Sequence, residues 1–126
     1  MLHSYKDLIV WQRGMELTVK VYELTEKFPK EEIYGLISQI RRASSSIPAN
    51  IAEGRFRGSK KEFLQFLRIA YASGAELESH IELSKRLPKT KNLKYGEVDS
   101  LLTEVMKMLN TIIRKLNPKE AIEAEN

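Results

Sequence analysis

Apolar residues recur every three or four positions along four long segments of this chain, and no window alternates apolar with polar residues as a strand would. The punctuation between the segments is equally regular. The first spans about Ser4 to Phe28 and is stopped by Pro29. The second starts near Glu31, with acids in its first turn. The third opens on a capping box formed by Ser59 and Glu62 and runs to Leu87, before Pro88. The fourth spans Tyr95 to Leu116 and ends at Asn117-Pro118. Four comparable helices joined by short links predict an all-α fold, an antiparallel up-and-down four-helix bundle. The bundle takes residues 1–118; residues 119–126 form an acidic C-terminal tail that is expected to be frayed.

The stripes go further than the helix count. In the second helix Ile33, Leu36, Ile40, Ser44, Ile47 and Ile51 share one face. In the third the set is Phe63, Leu67, Ala70, Gly74, Leu77, Ile81 and Ser84. In the fourth, Val98, Leu101, Val105, Leu109, Ile112 and Leu116 point inward. The first helix has two stripes: Leu8, Trp11, Met15, Val19 and Tyr22, and, roughly 130° away, Val10, Leu17, Val21, Leu24 and Phe28. One apolar stripe is enough for a bundle interior, so the second predicts burial on another side by self-association.

One stretch, SSSIPANIAEGRFRGSKK at residues 44–61, has the composition of a loop but keeps a helical beat through Ile47 and Ile51. It reads as the second half of a helix. Ser38, Ser45, Ala49 and Ala52 form a small-residue face on which another backbone is expected to come close. Pro48 removes a backbone donor and predicts a kink, at a helix-interior cost of about 3 kcal/mol that packing must offset. Gly54 is expected to end the helix in the left-handed conformation, with a basic loop following.

SQIRRASSSIPANIAEG, the basic S-x-x-E helix start after it, ELE in the third helix, and the N-terminal DLIVWQRGMEL and FPKEEIYGL segments together resemble the 23S rRNA intervening-sequence protein family. The likeness covers roughly Tyr5 to Leu116, and its most specific part is SIPANIAEG at Ser46 to Gly54. It implies a homopentameric ring and no catalytic activity. It also implies kinship with the accessory variability protein of diversity-generating retroelements, a pentamer that binds nucleic acid and a reverse transcriptase. Gly74 stands in the third helix where the resemblance leads one to expect a larger residue.

Bulk properties narrow the chemistry. The chain has 126 residues, 42% hydrophobic and 30% charged, which suits one soluble domain. It has no cysteine, which removes disulfide and thiolate chemistry and agrees with a reducing, cytoplasmic location. The N-terminal residues lack a basic stretch followed by a long apolar run, and no apolar run reaches about 18 residues, so neither a signal peptide nor a membrane partner is expected. The net charge is +4, and setting aside the tail's one Lys and three Glu raises that of the bundle to +6. A nucleic-acid partner is therefore permitted.

Glu76 and His80 lie four apart, whereas carboxylate-bridged metal bundles use two Glu-x-x-His pairs, so no metal and no cofactor is expected. GRFRGSKK lacks the glycine spacing and the preceding strand of a phosphate loop. Ser44, Ser45 and Ser46 have no histidine near them in sequence to act as base, so the expectation is that the chain is not an enzyme. Ser46, Asn50, Glu53 and Glu76 read as a structural polar network, with Ser73 or Arg42 as partners, rather than as a ligand pocket.

The cations fall in two groups. Arg55, Arg57, Lys60 and Lys61 lie between helices two and three; Lys85, Lys89 and Lys91 lie around the link between three and four, with Arg86 and Lys94. In a ring each patch is repeated by symmetry, so both groups are candidate RNA or DNA contacts with strong salt dependence. Phe56 is the one aromatic among them, which gives base stacking weak support. The expected function is thus a non-catalytic, oligomeric, nucleic-acid-binding scaffold, RNA before DNA. The alternative is a protein-binding adaptor, for example for a reverse transcriptase.

Overall fold

The computed structural model describes residues 4–32 and 34–118. Ile33, expected in the core stripe, and the acidic tail from Lys119 lie outside the described residues. The described chain forms four α-helices and no strand: α1 (Ile9–Thr25), α2 (Leu36–Arg57), α3 (Lys60–Ser84) and α4 (Gly96–Leu116). Short 3-10 turns at Tyr5–Asp7 and Lys30–Glu32 precede α1 and α2. The second helix therefore starts later than Glu31. Its acids form the preceding turn, and Glu32 accepts the backbone N–H of Leu36.

Cross-helix pairs fix the topology. Arg13 pairs with Glu104 and Lys20 with Glu97, so residue numbers rise along α1 as they fall along α4. Thr18 bonds to Ser44 and Arg41 reaches Thr25, which sets α1 against α2 in the same opposed sense. Ser46 with Ser73 and Arg42 with Glu76 do so for α2 and α3, and Gly74 against Met106 together with Lys85 on Asp99 for α3 and α4. Each helix packs on its two neighbours in a closed square, and the diagonal pairs do not approach. This is the antiparallel up-and-down bundle.

The core is the predicted one with informative exceptions. Leu36, Ile40, Ser44, Ile47 and Ile51 of α2 are buried, as are Leu67, Ala70, Gly74, Leu77, Ile81 and Ser84 of α3. In α4 the deepest residues are Val98, Leu102, Val105, Leu109 and Ile113, whereas Leu101, Ile112 and Leu116 are half-buried at the flank of that stripe. The two stripes of α1 part company. Val10, Leu17, Val21, Leu24 and Phe28 fill the core, and Leu8 and Trp11 pack on its edge. Met15, Val19 and Tyr22 remain 42%, 55% and 42% exposed. Within one chain, that stripe has no cover.

The glycines correct one expectation. Gly54 does not end α2. The helix continues to Arg57, and Gly58, with φ of 85°, takes the left-handed position. Gly54 is instead a point of close approach: a Cβ there would sit 2.6 Å from Cβ of Phe66 on α3. Of the small face, Ser38, Ser45 and Ala49 are exposed and Ala52 is half-buried, so within one chain this face is left open. Gly74, for its part, is filled from outside, because Met106 of α4 lies against its Cα.

Pro48 sits inside α2 and cannot donate to the carbonyl of Ser44. That carbonyl is instead met by the Thr18 hydroxyl of α1 at 3.1 Å, which also donates to the carbonyl of Gly14 at 2.9 Å. A proline defect in one helix is thus repaired by its neighbour.

Candidate nucleic-acid interface

The segment from Arg55 to Lys61 is less of a loop than its composition implies. Arg55 and Arg57 belong to the last turn of α2, and Lys60 and Lys61 to the first turn of α3, so only Gly58 and Ser59 connect the helices. Ser59 caps α3: its hydroxyl oxygen accepts the backbone N–H of Glu62 at 3.1 Å, and its hydroxyl donates to the Glu62 carboxylate. The tight link holds the four cations on two rigid helix ends.

They are not equivalent. Arg57 is engaged by Glu53 at 3.0 Å and Glu62 at 3.6 Å, and its guanidinium lies over the ring of Phe66 at 5.1 Å. Arg55, Lys60 and Lys61 are exposed and have no ion pair among the described residues. The up-and-down topology brings two more elements to this pole: the turn before α1, with Lys6, and the end of α4, with Arg114 and Lys115. Sequence reasoning omitted these. The signal was available, because in such a bundle the chain's two ends lie beside the α2–α3 turn.

The opposite pole is different. Lys85, only half-exposed, donates to Asp99 at 2.7 Å and to Glu82 at 3.0 Å. Those bonds, Asp99 first, raise its pKa above the ordinary lysine range, and the Glu82 carboxyl is lowered by Lys85 in return. Lys89 pairs with Glu31; the hydrogen bond between them raises the lysine and lowers the carboxyl. Arg86 pairs with Glu82. Lys91 is exposed and has no ion pair among the described residues. Lys85 and Lys89, proposed as phosphate contacts from the sequence, therefore hold the bundle's own acids.

The residues expected to form one polar network fall into three groups. Asn50 donates from Nδ2 to the carbonyl and hydroxyl oxygens of Ser46, at 2.7 and 2.9 Å, and the Ser46 hydroxyl meets that of Ser73 at 2.9 Å. Glu76 binds Arg42 at 2.6 Å and lies 3.4 Å from Nε2 of His80. Glu53 turns to Arg57, away from both groups. None of the three serines bonds to His80: Ser44 and Ser45 donate to backbone carbonyls of their own helix. Among the described residues no three His, Cys, Asp or Glu side chains are placed to hold a metal ion. No helix of the described chain is long and apolar enough to cross a membrane.

A second surface lies along α1. Met15, Thr18, Val19, Tyr22, Glu23 and Glu26 line an open groove of about 480 Å³. Arg41 of α2 lies over the Tyr22 ring at 4.4 Å and joins this groove to the outer face of α2.

The fold and these surfaces define a small helical-bundle protein whose chemistry-bearing groups are exposed cations and an uncovered apolar face. The family model described as 23S rRNA-intervening sequence protein matches residues 6–111, and the chain belongs to that family. A similar solved structure is a crystal structure at 1.70 Å of a protein with unknown function from the S23 ribosomal protein family of Bacteroides thetaiotaomicron. It is 28% identical, with a TM-score of 0.72 over 84% of this chain and 96% of that one. Comparison with curated proteins gives no match.

Proposed function

We propose that this chain is a non-catalytic, cytoplasmic, homo-oligomeric scaffold that binds nucleic acid, RNA before DNA, at the pole carrying the α2–α3 turn. The observation that carries the reading is the asymmetry of the poles. Arg55, Lys60 and Lys61 stand exposed without an ion pair among the described residues, with Lys6 and Lys115 arriving at the same end, whereas at the other end Lys85, Arg86 and Lys89 are held by the bundle's own acids and only Lys91 and Lys94 of that group are exposed without an ion pair. Unpaired cations fixed on helix ends release counterions when they meet phosphates, and that release drives sequence-independent binding.

The uncovered stripe of Met15, Val19 and Tyr22 supports the oligomeric half of the proposal, with a second copy as its cover; five subunits follow from the family resemblance. Closure into a ring would repeat the basic pole around one rim.

The test is binding of labelled RNA and DNA across salt concentrations, by the parent and by a triple variant, R55Q/K60Q/K61Q, with light scattering on both. The parent is expected to be a multimer whose affinity falls steeply from about 50 to about 200 mM salt. The triple variant is expected to keep its mass and to bind every sequence at least tenfold more weakly, with a shallower salt dependence. A variant that binds like its parent refutes the site. A parent multimer that binds neither RNA nor DNA at low salt leaves the adaptor reading. A monomer at micromolar concentration refutes the scaffold.

A further inference from the structure

Phe56 has no part in the fold. It lies in the last turn of α2 between Arg55 and Arg57, is 85% exposed, and has no ring partner among the described residues. Other apolar side chains are exposed too, but their surroundings differ. Tyr34 stands beside the acids Glu31 and Glu32, and Met15, Val19 and Tyr22 line the α1 groove. Phe56 is an exposed aromatic next to the unpaired Arg55 and a short turn away from the unpaired Lys60 and Lys61. It also forms one wall of a cleft of about 260 Å³ lined by Ser4, Tyr5, Arg55 and Phe56. Tyr5, also in its lining, is held in place: its ring meets Trp11 edge-on, with centroids 5.3 Å apart and planes at 71°.

An aromatic face, a second aromatic wall and a free guanidinium at one cleft match a flat heterocycle attached to a phosphate. Charge selects the occupant. A protein partner's apolar anchor would leave Arg55, Lys60 and Lys61 unanswered, whereas a nucleotide brings its own anions to them. A base within a duplex stacks on its neighbours and presents only its edge, so it cannot lie on Phe56. We infer that the cleft between Tyr5 and Phe56 receives an unpaired base, and that the basic pole therefore prefers single-stranded or looped nucleic acid over duplex. This rests on the nucleic-acid reading proposed above and specifies its substrate class. Phe56 supplies the stacking face, Arg55 a phosphate contact beside it, and Lys60 and Lys61 contacts to the adjoining backbone.

The experiment compares parent, Phe56→Ala, Phe56→Tyr and R55Q/K60Q/K61Q, each binding a labelled oligouridylate of about 20 nucleotides and an RNA duplex of similar length, at low salt. Stacking on an aromatic side chain alters single-strand affinity by about tenfold per base. Phe56→Ala is expected to bind the oligouridylate about tenfold more weakly and the duplex as the parent does, and Phe56→Tyr to restore the single-strand affinity. Light scattering is expected to return one mass for all four proteins. The inference is overturned if Phe56→Ala binds the single strand normally, if it weakens both ligands equally, or if it changes the assembly mass, which would make Phe56 a subunit contact. If the triple variant loses affinity and Phe56→Ala does not, the basic pole stands and only the base site falls. If the parent binds neither ligand, both fall together.

Discussion

Replacing Gly54 with Ala tests the closest approach in the bundle. A Cβ on residue 54 would lie 2.6 Å from Cβ of Phe66 and 3.3 Å from Cδ1 of Phe63. Ordinary contact begins near 3.4 Å, and both Cβ atoms are fixed to their backbones, so no rotamer change relieves the first clash. The helices α2 and α3 must move apart by most of an ångström, along an interface that also carries the Ser46–Ser73 and Arg42–Glu76 contacts. Overpacking of this kind costs about 1–3 kcal/mol, and a backbone-level clash belongs at the upper end. Against that, Ala gains about 1 kcal/mol over Gly in a helix interior. The net is a loss of about 2 kcal/mol, or a fall in Tm of about 6–12 °C for a domain of this size. Gly14→Ala is the control. Its Cβ would meet Pro48 and Ile47 at 3.5–3.6 Å, which is ordinary contact, so the helix-propensity gain should survive and raise Tm. Thermal and urea unfolding at one fixed protein concentration would read both. If Gly54→Ala stabilises the protein as Gly14→Ala does, the close approach is not what that glycine provides.

Two further predictions follow from the same geometry. Thr18→Val should destabilise the parent by about 1–3 kcal/mol in urea unfolding, because it removes the hydroxyl that meets the Ser44 carbonyl. In a Pro48→Ala background, where residue 48 regains its N–H, the same change should matter much less, and equal effects in both backgrounds would refute the repair. Stability should also respond to pH at both extremes. Glu31 and Glu82 have lowered pKa values, so their contribution is present above the ordinary carboxylate range near 4 and lost as pH falls through their folded values. Lys85, raised by Asp99, and Tyr95, raised by burial, contribute fully below about pH 10 and lose that contribution as pH rises further. Circular dichroism melts that held constant from about pH 3 to 11 would contradict this.

What the sequence disclosed and what it hid divide along a physical line. Period and punctuation are local, so the four helices, the Ser59 cap and the buried faces of α2 and α3 were legible. Which of two apolar stripes on α1 enters the core is not local, since both satisfy the helical period equally well. The partners Glu31 and Lys89 are 58 positions apart, so two basic regions that look alike in sequence separate only when the fold pairs one of them. Gly54 and Gly58 are a similar case. Both suit a helix end, and only the presence of Phe66 across the interface assigns the first to packing and the second to the turn.

The family signature, Ser46 to Gly54, can now be read atom by atom. Ser46 and Asn50 tie α2 to Ser73 of α3. Pro48 frees the carbonyl that Thr18 of α1 takes up, and Gly54 lets the α3 backbone close in. Ile47 and Ile51 fill the core between them. These positions set how closely α2 approaches α1 on one side and α3 on the other, so the motif's buried residues serve packing. Ala49 and Glu53 are the exceptions: Glu53 pairs with Arg57 at the surface, and Ala49 faces outward with Ser45. The α1 stripe at Met15, Val19 and Tyr22 lies beside that face, joined to it where Arg41 crosses Tyr22. A bulky apolar row next to a row of small side chains is the complementary relief that a second helix pair requires. The signature then shapes two surfaces at once: the interior by what it buries, and the proposed subunit contact by how little it projects.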